Sequence, residues 1–147
     1  MIRIVFVLLA IAVGLTSVVA QDDPIATRQN LMKENNRHDR AVRGMVRGEI
    51  PFDVAAANAA FDQWSETAAQ FGKLFPDNSK AGRNTRAKAA IWQNRSDFDA
   101  KLAAFSKAVA AGKQKSASLD GLKASYSAVN TTCNDCHELY RAPAQKK

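Results

Sequence analysis

Near the end of the chain two cysteines and a histidine stand together, as Cys133-Asn134-Asp135-Cys136-His137. No other cysteine is present, and the only other histidine is His38. Thiols at i and i+3 share one face of a helix, so both can reach the same object. A zinc site usually takes four ligands, and a distant His38 does not complete one. A thioredoxin-like dithiol sits at a helix start in an α/β context, whereas this pair lies near the end of a helical segment. A disulfide closing so short a loop would staple almost nothing. The order C-x-x-C-H instead fits attachment of a c-type haem, with a thioether from each thiol to a vinyl group and the adjoining imidazole on the iron. The expectation is one covalently bound haem c, held by Cys133 and Cys136, with His137 as proximal ligand.

The elements that must position these residues are helices. Val54, Ala57, Phe61, Trp64, Ala68, Phe71 and Phe75 recur at steps of three and four. So do Ile91, Arg95, Phe98, Leu102, Phe105 and Val109, and again Leu119, Leu122, Tyr126, Val129, Cys133, Cys136 and Tyr140. These are the stripes of antiparallel bundles, and no segment alternates with a period of two. Arg95 is the discordant member, expected at an open end or beside a buried anion. A first helix is marked by its ends: Asp23-Pro24 as N-cap and first residue, Gly48 and Pro51 as the stop. Helices are expected over 24–46, 54–75, 88–111 and 118–141. Short connections make neighbours antiparallel, so the fold class is all-α, an up-down-up-down four-helix bundle with the haem at one end.

Residues 1–20 read as a signal peptide rather than as fold: a basic start at Arg3, an apolar run from Ile4 to Leu15, and small residues up to Ala20. The run is short for a bilayer span, so no stable membrane insertion is expected after its removal, and the protein is expected in the periplasm. Residues 21–147 then form one c-type cytochrome domain. The chain carries 21 basic and 14 acidic residues. Losing Arg3 leaves a net charge of +6. The basic residues are scattered and not interleaved with aromatics, which argues against nucleic acid and for solvation and the steering of acidic partners.

Bundle geometry selects a candidate for the iron's other face. The end of the fourth helix meets the beginning of the first, where Met32 lies eight residues after Pro24. Met45 lies about 20 Å further along the axis at about 1.5 Å per residue, at the opposite end. His38 is about 9 Å below Met32 on another face, among charged neighbours, and reads as a surface residue. Phe71, Phe75, Ile91 and Trp92 fall at the haem end as core. Met32 can bind iron through its thioether or merely fill a gap.

A single C-x-x-C-H near the C-terminus, followed by Tyr140-Arg141, on four helices of this length resembles the cytochrome c prime family. Arg28-Gln29-Asn30-Leu31-Met32-Lys33 is similar to that family's distal segment. Leu31 to Asn35, Pro51-Phe52-Asp53 and Leu74-Phe75-Pro76-Asp77 look most like its low-spin branch, the cytochromes c-556. The resemblance implies Met32 as second iron ligand, Arg28 and Gln29 on the haem propionates, and Arg141 beside the proximal imidazole. It implies a one-electron carrier, not an enzyme, that docks with other redox proteins and sometimes pairs as a homodimer. The alternative within the family is a five-coordinate cytochrome c prime that binds nitric oxide or carbon monoxide at an open site. A peroxidase would need distal acid–base groups, and His38 is too far along the helix to serve.

Overall fold

The computed structural model describes residues 23–144. The signal-peptide reading of 1–20 lies outside them. Among the described residues the helices are α1 (Pro24–Val46), α2 (Val54–Gln70), the single turn α3 (Ala90–Gln93), α4 (Arg95–Lys113) and α5 (Leu119–Tyr140). Three of the four long helices start at a capping side chain. The Asp23 carboxylate accepts from the N–H groups of Ile25 and Ala26, with Pro24 opening the helix. Asp53 does the same for Ala55 and Ala56, and Ser118 accepts from the N–H of Gly121. These side chains satisfy donors that the first helical turn leaves unpaired. Gly48, at φ 72°, stops α1 in a conformation that L side chains rarely adopt.

Two boundaries differ from the periodicity. The second helix ends at Gln70 and continues as a 3₁₀ turn, Phe71–Leu74. Gly72 weakens the last turn, and Pro76 restricts Phe75 away from the helical region. The expected third helix is broken at Asn94 (φ −121°, ψ 52°), which separates α3 from α4. The break also resolves the discordant Arg95. Its side chain turns outward, binds Asp99 and donates to the Gly72 carbonyl at 2.8 Å. The stripe passes instead from Ile91 to Phe98, both buried. In α2 it passes through Thr67 (1 % exposed) rather than Ala68, and Val54 is exposed.

The long helices close a ring in which α1 packs on α2, α2 on α4, α4 on α5 and α5 on α1. Side-chain pairings set the directions. Asn35 meets Thr67, Arg95 meets Gly72, Tyr140 meets Asp97, and Tyr126 meets Asp39. Second contacts lie at the other end of three seams, Met45 with Asp53, Lys113 with Asp62 and Gly112 with Ser125, so rising numbers meet falling ones and the up-down-up-down bundle stands. The core is two apolar clusters. One holds Val42, Met45, Phe61, Trp64, Val109 and Leu122 at the end carrying the α1–α2 turn. The other holds Leu31, Phe71, Phe75, Ile91, Phe98 and Tyr140 at the opposite end. Apolar side chains normally merge into one core per domain. Here a cavity keeps them apart.

Candidate functional site

The cavity has a volume of about 740 Å³, and both clusters supply its walls: Trp64, Phe105 and Val129 from one, Phe71, Phe75 and Phe98 from the other. That size is usual for a cofactor site. Exposed residues such as Lys33, Asn36 and Asn134 stand at its edge, so it opens to solvent between α1 and α5. The α1–α5 seam is the sparsest in the ring. On α1 and α5 the lining includes Asn36, Asn130 and Asn134, polar side chains that do not zip helices together as apolar ones would.

Both thiols, His137 and Met32 line this cavity. Cys133 and Cys136 lie one turn apart on α5, half-buried and not bonded to each other. Burial, then the Asp39 carboxylate and the neighbouring thiol, push the Cys133 thiol up to about 11. Burial likewise raises Cys136. The pair is therefore protonated at neutral pH, which does not suit a thiolate nucleophile. Among the described residues there is also no group of three or more His, Cys, Asp or Glu that could hold a metal ion. Burial, followed by the charges of Arg141 and Arg86, holds His137 down at about 4. Its ring is neutral at physiological pH and keeps a lone pair for a metal. Met32 packs against the Leu31–Phe71–Phe75 cluster. Met45 sits 1 % exposed in the other cluster, its sulfur 3.2 Å from the Asp53 N–H. The axial separation expected of the two methionines is observed.

A single family model accounts for this arrangement: that of cytochrome C′, which matches residues 23–141. The chain belongs to the cytochrome c′ family. It is 38% identical over 145 residues to the cytochrome c-556 of Rhodopseudomonas palustris, covering 96% of this chain and 97% of that one. To the cytochrome c′ of the same organism it is 33% identical over 135 residues, 90% of each. Among solved structures, oxidized R. palustris cytochrome c556 superposes with a TM-score of 0.77 at 36% identity, and R. palustris cytochrome c′ with 0.80 at 29%. Each alignment covers 85% of this chain and all of the other. A member of the cytochrome c′ family is a c-type haem protein, and one haem c per chain, covalently attached, is its cofactor.

The residues present fit that group. The cavity brings two free thiols, a neutral imidazole and a thioether to one space walled largely by apolar side chains. Other expected residues stand differently. Arg28 lines the cavity but is 4 % exposed rather than a loose first-turn arginine. Its Nη1 donates to Leu74 O and Ser79 Oγ, and its Nη2 to Ser79 O and Thr85 Oγ1. It thereby clasps the loop between α2 and α3 and leaves only Nε for a ligand. Gln29, exposed at the same edge, donates to Arg83 O. Arg141 lines the cavity beside Arg86, in the strand-like bridge that joins Ala87 to Arg141. His38 is absent from the lining and contacts Arg37 at 2.7 Å, a surface position as expected.

Sequence reasoning missed three polar groups at the cavity. Asp39, Arg43 and Tyr126 form a hydrogen-bonded cluster on its wall, with Tyr126 Oη donating to Asp39 Oδ1 at 2.8 Å. Tyr140 Oη donates to Asp97 Oδ2 at 2.5 Å. Thr67 bonds Asn35 across the α1–α2 seam. A signal existed for two of them, since Tyr126 and Tyr140 were on the α5 stripe, where a buried phenol needs a partner.

Proposed function

We propose that the protein is an exported one-electron carrier whose haem is attached through Cys133 and Cys136 and ligated by His137 and Met32. The observation that carries this reading is that all four side chains line one cavity while Met45 is packed away at the other end. The bound haem would supply a one-electron Fe(III)/Fe(II) couple; the chain supplies attachment, ligation and surroundings. His137, kept neutral by burial and by two arginines, offers its nitrogen across the whole physiological range. A thioether donor favours the reduced form and closes the position a gas would take. Phe71, Phe75, Ile91 and Phe98 exclude water and lower the local dielectric, which limits the reorganisation each electron must drive.

Arg28, Gln29 and Arg141 are assigned to the carboxylate edge of the haem and to the flank of the imidazole, in keeping with their places on the lining. Lys33, Arg86, Lys101 and Arg141 also border the cavity, and no described carboxylate lies within ion-pair distance of them. This favours redox partners with acidic faces, steered by charge to the open side. No described helix is long and apolar enough to cross a membrane, and the signal-like N-terminus favours the periplasm.

Visible spectroscopy tests the ligand set. The ferric wild-type protein is expected to be low-spin, with a sharp α-band on reduction and slow carbon monoxide uptake. Met32→Ala should turn the iron partly high-spin, admit carbon monoxide quickly and lower the reduction potential. Met45→Ala should do none of these. A wild-type protein that is high-spin and takes up carbon monoxide readily would assign Met32 to packing and the protein to gas binding.

A further inference from the structure

Met32 has three rotatable bonds, and apolar packing against the Leu31–Phe71–Phe75 cluster does not by itself set where the sulfur points. Its helical neighbour Asn35 does. At i+3 the two share a face of α1, and Asn35 Nδ2 lies 4.0 Å from Met32 Sδ. The Asn35 amide is itself held from across the seam. Thr67 Oγ1, 1 % exposed on α2, donates to Asn35 Oδ1 at 2.9 Å. Gln63 Nε2 in turn points at Thr67 Oγ1, at 3.4 Å. With a donor behind it, the threonine hydroxyl directs its proton to the asparagine oxygen. That leaves the NH₂ end of the amide toward the sulfur, the orientation in which no oxygen lone pair faces sulfur lone pairs. The chain of donors runs one way, Gln63 to Thr67 to Asn35 to Met32, and hydrogen bonds aligned in this manner reinforce one another. It ends inside the cavity, since Thr67, Asn35 and Met32 all line it.

We propose that Asn35, oriented by Thr67, is the positioning residue that aims the Met32 thioether at the iron. This rests on the reading of Met32 as a ligand. A thioether sulfur carries two lone pairs, so a donor on one leaves the other to face the cavity. The same contact restricts rotation that a free methionine would have to give up on binding. The contact is long and thioether sulfur is a weak acceptor, so its share is the low end of an ordinary hydrogen bond, and losing it should raise the open, unligated fraction about 2- to 3-fold.

The test uses the holoprotein and two readouts: the carbon monoxide association rate of the ferrous form and the high-spin fraction of the ferric form. Thr67→Val keeps the shape but removes the hydroxyl, and should raise both about 2- to 3-fold. Thr67→Ser should return both to wild type. Asn35→Asp keeps an acceptor for Thr67 but lacks the N–H, and should act as Thr67→Val does. It lies at a partly exposed position and serves if Thr67→Val does not fold. Wild-type rates in Thr67→Val and Asn35→Asp, beside a fast Met32→Ala, overturn the positioning role and leave the ligand reading intact. A rise that Thr67→Ser does not reverse assigns the effect to packing and also overturns it. A wild-type protein as fast as Met32→Ala removes both readings together.

Discussion

Replacing Arg28 by methionine should destabilise the protein by about 3 kcal/mol, and the structure says where that loss falls. The guanidinium makes four hydrogen bonds to Leu74, Ser79 and Thr85. The two hydroxyls among its partners have other bonds: Ser79 Oγ donates to Pro76 O at 2.9 Å, and Thr85 Oγ1 accepts from Ala87 N–H at 3.3 Å. The carbonyls of Leu74 and Ser79 have no such alternative in the described hydrogen bonds, and each orphaned buried acceptor costs about 1–2 kcal/mol. Relief from burying the cation offsets the lost contacts to the two hydroxyls and to the Phe75 ring, and methionine replaces much of the apolar stem. Against a typical domain stability of about 5–15 kcal/mol this is a large fraction. For a domain of this size it should lower the melting temperature by about 10 °C. Thermal unfolding of the holoprotein, followed by far-UV circular dichroism, measures it. Arg28→Lys should lose most of the same stability, because one ammonium cannot span acceptors on three residues. Gln29→Ala, which removes a single bond from an exposed side chain, should stay within about 0.5 kcal/mol of wild type. If Arg28→Met melts within about 2 °C of wild type, the clasp does not hold the loop and the reasoning fails.

Two further outcomes are expected. Gly112→Ala would set a Cβ 2.5 Å from Phe61 Cε1 and 3.0 Å from Ser125 Cβ, and Phe61 is fully buried with nowhere to retreat. Overpacking should outweigh alanine's better helix propensity and shift the urea midpoint down by the equivalent of about 1–2 kcal/mol; an unchanged or raised midpoint would contradict it. The Tyr140 phenol, held up at about 12 by its bond to Asp97, by burial and by that carboxylate's charge, should contribute stability fully below about pH 10 and lose it as pH rises through about 12. Ultraviolet phenolate titration, assigned with Tyr140→Phe, should show Asp97→Asn lowering that midpoint; an ordinary tyrosine midpoint in the wild type would refute it.

Much of the bundle was legible because periodicity and caps are local. The step of three and four on α5 carried both thiols and Tyr140 to one face, and each lies inward or half-buried in the fold. Asp23-Pro24 and Gly48 marked the ends of α1 to the residue. The break at Asn94 was not legible, since an asparagine inside an otherwise helical pattern costs too little by itself to announce an interruption. Arg95 was misplaced for the same reason: one non-helical residue rotates everything before it relative to everything after.

The chemistry of the chain was written in short-range order. Cys133, Cys136 and His137 name a haem because the spacing of three residues on one helix decides which groups can reach one cofactor. Axial position also follows from counting, which is why Met32 and Met45 could be assigned to opposite ends before any packing was known. What counting cannot supply is the state of a side chain once other helices surround it. Whether Arg28 reaches outward or locks a loop depends on Leu74, Ser79 and Thr85, about fifty residues away. Whether His137 is charged depends on burial and on two arginines brought beside it by the Ala87–Arg141 bridge. Which way the Asn35 amide turns depends on Thr67 across the α1–α2 seam. Desolvation and hydrogen-bond direction are properties of the assembled neighbourhood, so the tertiary structure alone could decide them.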